Sequence, residues 1–267
     1  EMAKGNHEEA ERLLLELLSD NPKEPDVLRQ IAVCKVQQGQ QESALPFARL
    51  ACQLEPSHAG GHAMFGSLAG LFGDHKTFRE HTEIALTLAP DMPAAKWNLS
   101  LCQLAYGEWK EGWKNYEWGK PHGTRPRRTV YDDWNGIDDL NGLKLWVHGE
   151  QGQGDCIQFA RYVKVVKDRY PNCEIWLEVY DDLLWILGSV ADEVFAVKQD
   201  GSTPIGWDMT RDFQIPLLSL PYALECGGIP APVRIEPNQD IANAFRASRP
   251  SGKCYGLVWQ GSKGNVN

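Results

Sequence analysis

Four residues, Gly-Gln-Gly-Asp at 152–155, combine a flexible turn with a carboxylate and could carry chemistry. They follow the apolar segment LKLWVHGE and precede DCIQFARYVKVVKDRYP, whose apolar spacing predicts a helix. Open α/β sheets bind ligands at the carboxyl ends of their strands, which is where this turn is expected to lie. Asp155 could therefore act as a general base toward an acceptor hydroxyl. It could also cap the helix N-terminus, which contributes about 1 kcal/mol, and both interpretations stay open.

The same turn argues against a dinucleotide cofactor. Dinucleotide sites use GxGxxG, and here Gly152 and Gly154 are followed by Ile157 where a third small residue belongs. A free helix N-terminus attracts phosphate, but Asp155 would satisfy its N–H groups and repel a pyrophosphate. Glu178 could contact a ribose, yet one acidic residue does not compensate for the turn. We therefore expect no bound cofactor.

Polar side chains around the turn are candidates for binding an acceptor molecule. Amide and guanidinium groups suit sugar hydroxyls or phosphates, although such side chains are also common on solvated surfaces. His148 ends the first strand, so it could orient the aspartate, contact an acceptor or belong to the core. The candidate acceptor-binding residues are Gly152, Gln153, Gly154, His148, Gln151, Gln158 and Arg161.

Four histidines in the first half could be metal ligands. His58 and His62 are four residues apart, and His75 and His81 follow on nearby predicted helices. Such spacing can bind zinc, but no Glu or Cys completes a ligand set in this pattern. We expect these histidines on solvated helix faces, and no metal ion.

The turn belongs to an alternating series of strands and helices. The predicted strands are LKLWVHGE, CEIWLEVY, DEVFAVKQ and the start of DFQIPLLSLPYALE; helical patterns lie at DCIQFARYVKVVKDRYP, DDLLWILGSV and QDIANAFRASRP. Strands that alternate with helices imply right-handed crossovers and a parallel sheet. The sequence therefore predicts a Rossmann-like domain over 142–250. A further strand, YGLVWQGS, falls within 251–267.

The first half repeats with a period of 34 residues. Prolines recur at 22, 56 and 90, and glycines recur at 5, 39, 73 and 107. Two residue types that keep one period indicate helical hairpins, each turning at Gly and ending at Pro. The pattern resembles the tetratricopeptide repeat, in which small residues lie where helices cross. Such small residues are Ala32, Ala44, Gly66 and Ala85. Phe78 departs from the pattern, because a large residue stands where a small one is favoured. The resemblance implies repeats over 1–118 that bind a protein or peptide partner.

One residue of the third repeat could contact such a peptide. Asn98 is expected to face the concave groove, where an amide can hold a peptide backbone. Gln30 and Met64 stand at the matching positions of the earlier repeats, so the asparagine does not recur.

The last repeat ends in the tryptophan-rich segment WKEGWKNYEWGK instead of a proline. Trp109, Trp113 and Trp118 fall near one face of a helix. Because a repeat buries its apolar face only against neighbours, the array needs a cap, and we expect this helix to pack on the second half. An aromatic ligand site is the alternative. Residues 119–141 carry Pro, Gly and charge without periodicity and predict a linker.

The segment GEQGQGDCIQFARY resembles glycosyltransferase family 9, the heptosyltransferase group of GT-B enzymes. In that family the aspartate of the GD turn is the proposed base toward the acceptor hydroxyl, and it corresponds to Asp155. Repeats followed by a WxG segment, Trp134 and Gly136, resemble bacterial repeat-plus-glycosyltransferase proteins, and the joint architecture is similar to that of O-GlcNAc transferase. The resemblance implies an acceptor-side domain over 142–250 and, at 251–267, the first strand of a donor-binding domain that the sequence otherwise lacks.

Composition limits the remaining possibilities. The formal charge of −9 argues against nucleic acid, because a phosphate backbone needs a basic surface. Seven cysteines without a CxxC spacing favour reduced thiols and a cytoplasmic location. No apolar stretch reaches the roughly 18–20 residues that cross a bilayer.

These patterns lead to one hypothesis and one alternative. The chain is predicted to be a fragment of a glycosyltransferase that moves a sugar from a nucleotide-sugar donor to a glycan or protein acceptor, inactive alone because the donor half is missing. In that enzyme the nucleotide-sugar is a substrate, and neither metal nor cofactor is expected. The alternative is a non-catalytic tetratricopeptide-repeat interaction module with a Rossmann-like scaffold.

Overall fold

The structure is a computed structural model that describes residues 6–122, 133–196, 213–234 and 239–248. The helices of the first half are α1 (His7–Asp20), α2 (Pro25–Gln37), α3 (Gln41–Leu54), α4 (Ala59–Leu71), α5 (His75–Leu88), α6 (Pro93–Ala105), α7 (Trp109–Tyr116) and α8 (Gly119–His122). The second half contains β1 (Lys144–His148), α9 (Gln153–Arg169), β2 (Glu174–Val179), α10 (Leu184–Leu187), β3 (Glu193–Ala196), β4 (Phe213–Pro216), α11 (Leu220–Ala223) and α12 (Gln239–Ser248).

Helices α2 to α7 form three hairpins that repeat with the period of the sequence. Each hairpin turns at a glycine with a left-handed backbone, with φ of 76°, 82° and 78° at Gly39, Gly73 and Gly107. Small side chains allow the helices to approach closely, and Ala44 and Ala85 are fully buried where neighbouring helices meet. The expected arrangement of tetratricopeptide-type helical hairpins is confirmed.

Phe78 is the large residue that departs from the repeat pattern, and a glycine on the facing helix accommodates it. A Cβ atom at Gly70 would lie only 2.9 Å from the Phe78 ring. The backbone oxygen of Phe78 also lies 3.2 Å from a Cβ built on Gly66. Because α4 is glycine-rich along this face, the ring fits without separating α4 from α5.

The second half is built on a parallel sheet of strand order β3-β2-β1-β4. The central strand β1 pairs with β2 on one side and with β4 on the other. Trp146 of β1 lies opposite Trp176 of β2 and opposite Gln214 of β4. The residues 145–147 of β1 are buried, as expected for a parallel strand that is covered on both faces. The expected Rossmann-like arrangement is confirmed, while the strand predicted at YGLVWQGS lies outside the described residues.

The last repeat helix packs on the α/β core, as its tryptophans suggested. Trp113 of α7 is 6% exposed, and its ring meets the Phe159 ring of α9 edge to face at 5.5 Å. Trp109 lies at the margin of the same core. Trp118 instead lies beneath Lys96, whose ammonium is 3.9 Å from the ring centroid. The cap of the repeats is therefore the second half of the chain itself.

Part of the segment expected to be a linker belongs to the core. Asp133 forms a parallel bridge to Gln214, and the Trp134 N–H donates to the Gln214 carbonyl at 2.7 Å. Trp134 and Leu140 are buried in the same apolar cluster as β1. The expected linker therefore does not extend to 141, because these two apolar side chains follow the Pro- and Arg-rich stretch and fold with the sheet.

Two general expectations can be compared with the described residues. All six cysteines in the described part of the chain are free thiols, and five of them are buried. Within the described ranges, no helix combines the length and apolarity that crossing a membrane requires.

Gly136 provides a direct test of the contact between residues 133–140 and α11. Its φ is +88°, and a Cβ atom there would lie 2.0 Å from the Ala223 carbonyl oxygen. Gly142 has a similar φ of +80° but no atom within 4 Å of its Cβ position. Both Gly→Ala variants should lose about 1–2 kcal/mol from left-handed strain. Gly136→Ala should lose about 1–3 kcal/mol more, because of the overlap.

Urea unfolding of both variants against the parent measures this difference. Equal losses for Gly136→Ala and Gly142→Ala would contradict the close approach of Gly136 to α11.

Candidate functional site

The turn between β1 and α9 is held from two sides. Gln151 has a left-handed backbone with φ of +60°, and its carbonyl accepts a hydrogen bond from the Tyr180 hydroxyl. Burial raises the pKa of Tyr180, which keeps its hydroxyl a neutral donor. The Gln151 side-chain amide donates to the Tyr116 hydroxyl at 3.1 Å. The turn is thus fixed both to the end of β2 and to the last repeat.

Asp155 lies in the first turn of α9 and is partly exposed. Its Oδ2 atom accepts a hydrogen bond from the Gly152 N–H at 3.0 Å. The reciprocal bond of a capping box cannot form, because glycine has no side chain. The carboxylate therefore occupies the positive end of the helix, where a phosphate would otherwise bind. An ionised carboxylate has about four acceptor positions, so one bond leaves capacity for another donor.

His148 is placed differently from the other candidate residues. It is 2% exposed at the end of β1, and its ring lies edge to face with Trp146 at 6.3 Å. A side chain so deeply buried is closed to an acceptor arriving from solvent. The structure therefore favours the interpretation of His148 as a core histidine.

The three glutamines and the arginine separate into two groups. Gln153 donates to Asp182 at 3.2 Å, so its amide, like that of Gln151, is held by the protein. Gln158 and Arg161 instead border an open cavity of about 380 Å³ beside the helix N-terminus. The Arg161 guanidinium donates to the Pro230 carbonyl at 3.2 Å, which holds it at the cavity wall. The full lining is Gly154, Ile157, Gln158, Arg161, Pro232 and Val233.

Glu150 is a buried carboxylate at the turn, and the candidate residues predicted from the sequence do not include it. It is 3% exposed, and its Oε1 atom accepts from the Leu218 N–H at 3.2 Å. The bond joins the loop after β1 to the loop after β4. An acidic residue directly after an apolar strand, with glycine before it, was the available sequence signal. Glu150 thus connects the segments that follow the neighbouring strands β1 and β4.

The expectation that the histidines of the repeats lie on solvated faces is wrong for His62. Its side chain is 5% exposed, and its Nδ1 atom lies 2.9 Å from Nδ1 of His81. Cys52 of the preceding helix offers a sulfur within 4.8 Å of ligand atoms of both rings. The sequence pattern missed this cysteine because it lies on α3, and only the packing of α3 against α4 brings it near.

Asn98 borders a concave cavity, as expected, but its amide is bonded to other groups of the protein. It is 6% exposed, donates to the Ala63 carbonyl at 3.2 Å and accepts from the Ser67 hydroxyl at 3.1 Å. The residue therefore joins α6 to α4. This cavity has a volume of about 600 Å³ and is also bordered by exposed apolar side chains, among them Leu71, Leu101 and Tyr106.

Comparison with known proteins gives distant structural similarity. No protein-family model matches the chain, and no curated protein matches it. A crystal structure of MamA is 20% identical with a TM-score of 0.40, over 44% of this chain and 71% of that chain. YrrB, described as a TPR protein with an unusual peptide-binding site, is 15% identical with a TM-score of 0.40, over 45% of this chain and 64% of that chain.

A two-part protein is also among the similar structures. A mutant of the O-GlcNAc transferase of Thermobaculum terrenum is 15% identical with a TM-score of 0.39. The match covers 72% of this chain and 38% of the transferase. This chain thus corresponds to well under half of that transferase's length.

The capping role of Asp155 can be measured on this chain. Asp155→Ala removes the acceptor of the Gly152 N–H and should destabilise the fold by about 1 kcal/mol. Asp155→Asn keeps an oxygen acceptor at the same place and should stay within about 0.5 kcal/mol of the parent. Chemical denaturation of the three proteins tests both values. A stable Asp155→Ala protein would show that the bond to Gly152 does not support α9.

Proposed function

We propose that this chain is the acceptor-side part of an inverting glycosyltransferase, preceded by repeats that hold a protein partner. The acceptor would be a hydroxyl of a glycan or a protein, and the donor a nucleotide-sugar. Asp155 would act as the base. Gly152, Gly154, Gln158 and Arg161 would line the acceptor site.

The placement of Asp155 carries the proposal. In the parallel sheet of order β3-β2-β1-β4, β2 and β3 lie on one side of β1 and β4 lies on the other, and such switch points in strand order are where open α/β folds bind ligands. Asp155 is partly exposed in the first turn of α9, seven residues after the end of β1, and its neighbours Gly154 and Gln158 border the 380 Å³ cavity. A carboxylate within reach of solvent at this place can meet a hydroxyl-bearing ligand, whereas the buried Glu150 cannot.

The reaction would proceed by direct displacement. The acceptor hydroxyl gives its proton to the Asp155 carboxylate while its oxygen forms a bond to the anomeric carbon of the donor. The bond from that carbon to the nucleotide phosphate breaks, and the electron pair leaves with the phosphate. Because Gly152 N–H holds one carboxylate oxygen, the lone pairs left on the carboxylate must take the proton. The backbone bond also fixes the carboxylate, which favours productive orientation.

Some expected acceptor residues would have a supporting role instead. Gln151 and Gln153 bind Tyr116 and Asp182 through their amides, and His148 packs in the sheet. Their contribution under this proposal is to hold the turn in place. A donor site would have to come from outside the described residues, and residues 251–267, expected to start a donor domain, fall among those not described.

Loss of the base can be tested in the complete gene product. Asp155→Asn should lower kcat for sugar transfer by about 10²- to 10⁴-fold, because an amide cannot accept the proton. Its melting temperature should remain near that of the parent, since the cap to Gly152 persists. Transfer is measured as release of nucleotide from a panel of nucleotide-sugars.

Asp182→Asn is the matched control for this experiment. Asp182 is an exposed acidic residue that binds the Gln153 amide, and asparagine keeps an oxygen that can accept from that amide, so kcat should stay within a fewfold of the parent. Parental turnover in Asp155→Asn would reject the assignment of Asp155 as base.

A second candidate function is a protein-interaction module without catalysis. The observation that favours it is the 600 Å³ cavity between α4, α5 and α6, where Leu71 is 68% exposed and Tyr106 is 58% exposed. Apolar side chains in a concave site are typical of peptide-binding surfaces. The partner of this site would be a peptide that inserts an apolar side chain.

Site-specific photo-crosslinking can test the second candidate. A photoreactive residue replacing Leu101, at the cavity, should capture a partner that the same residue replacing Leu13 does not. Both leucines are exposed apolar side chains on helices, so the comparison isolates the cavity. Equal capture at the two positions, measured by quantitative mass spectrometry, would contradict a partner site at this cavity.

A further inference from the structure

A compact group of potential metal ligands lies among α3, α4 and α5, far along the chain from the turn at Asp155. Cys52, His62 and His81 each place one ligand atom within 4.8 Å of the others. Cys52 and His62 are buried, and His81 is partly buried. The three side chains come from three different helices, so only the packing of successive repeats brings them together.

The hydrogen bonds of His62 fix which of its nitrogens is protonated. Its Nε2 atom lies 3.0 Å from the Pro56 carbonyl, which can only accept, so Nε2 carries the proton. In the neutral ring Nδ1 is then unprotonated, and its lone pair faces Nδ1 of His81 at 2.9 Å. Metal-binding histidines in proteins show this arrangement, with one N–H held by a backbone carbonyl and the other nitrogen on the metal.

We propose that Cys52, His62 and His81 bind a single zinc ion. A thiolate and two imidazoles are the ligands that zinc prefers, and three protein ligands leave a fourth position for water. The partly exposed His81 provides the side from which a water molecule could reach that position.

The ligand atoms need only small movements to reach zinc geometry. Tetrahedral bonds of about 2.0–2.1 Å to nitrogen place two nitrogens about 3.4 Å apart, compared with 2.9 Å between the two Nδ1 atoms here. Sulfur and nitrogen on one zinc are about 3.5 Å apart, so Cys52 must approach from within 4.8 Å. Rotations of the cysteine and histidine side chains can supply both changes without moving the helices.

One proton leaves when the metal binds, and a second changes place. The Cys52 thiol gives up its proton to solvent, and the His81 proton that bridges the two Nδ1 atoms moves to Nε2 of the same ring, which stays neutral. Burial raises the pKa of Cys52 to about 11 and lowers that of His81, so without metal the thiol is protonated and the His81 ring is neutral. A neutral ring does not repel an incoming cation.

One neighbouring cation has to be considered. Arg29 contacts this region and is 8% exposed, but its guanidinium forms ion pairs with Asp26 and, at 2.6 Å, with Glu55. Two carboxylates thus offset the single positive charge beside the cysteine. The local charge balance therefore allows a divalent ion.

Bound zinc would connect two consecutive repeats. Cys52 belongs to the hairpin α2–α3, and the two histidines belong to the hairpin α4–α5. Since a repeat array is stabilised by its nearest-neighbour interfaces, a metal across one interface would stabilise the array.

The test uses the tag-free chain, stripped of metal and titrated with Co²⁺, which substitutes for zinc and absorbs light. One equivalent should give the absorption of tetrahedral cobalt together with a thiolate-to-cobalt charge-transfer band, and Zn²⁺ should displace it. Cys52→Ala should abolish the charge-transfer band. His81→Gln removes a ligand, so it should weaken cobalt affinity more than the loss of a group that only supports a ligand, which costs about 10- to 100-fold.

Cys102→Ala is the matched control. Cys102 is a buried cysteine of the hairpin α6–α7, and burial also raises the pKa of its thiol to about 11. It should bind cobalt like the parent. Cys52→Ser keeps the size of the side chain and removes the sulfur, so it replaces Cys52→Ala if that variant does not fold. Absence of the charge-transfer band in the parent, or its persistence in the folded Cys52 variant, would overturn the proposal.

A thermal measurement provides a second readout. Zn²⁺ should raise the melting temperature of the parent and of Cys102→Ala, because binding to the native state stabilises it by mass action. It should leave the melting temperature of the folded Cys52 variant unchanged. An equal rise in all the proteins would indicate binding elsewhere and would also overturn the assignment.

Discussion

The contact of α7 with α9 is the constraint on which the rest of the structure depends. Each hairpin of the array buries its apolar face only against the next one, so the last hairpin requires another surface. Helix α9 provides this surface, because Trp113 of α7 packs on its Phe159. The two halves then share one apolar cluster. A small parallel sheet and a short repeat array, each limited in buried area, thus stabilise one another.

This shared core also determines the shape of the turn that carries Asp155. Tyr116 ends α7, and its hydroxyl accepts from the Gln151 amide, while Tyr180 at the end of β2 donates to the Gln151 carbonyl. The left-handed backbone of Gln151 is a strained conformation for a residue with a side chain, and these two bonds offset the strain. The last repeat therefore helps to position the turn.

Local patterns in the sequence predicted the elements, whereas long-range packing decided the individual site residues. The 34-residue period of prolines and glycines predicted the hairpins, and the alternation of strand-like with helix-like segments predicted the parallel sheet. The burial of His62 and the approach of Cys52 could not be predicted, because they depend on how α3 contacts α4. The burial of Trp134, which the sequence analysis noted only as part of a WxG segment, was missed for the same reason: its partner strand β4 is about 80 residues away along the chain, at 213–216.

The bond from Gly152 to Asp155 accounts for what the turn excludes and limits what it can do. A carboxylate that accepts the N–H occupies the place that a phosphate would take, so a Gly-rich turn of this kind is unsuited to a nucleotide. The same bond takes up one acceptor position of the carboxylate, so an acceptor hydroxyl would have to use one that remains. If Asp155 is the base, as proposed, proton transfer would accompany departure of the nucleotide, which requires a donor bound directly beside the turn.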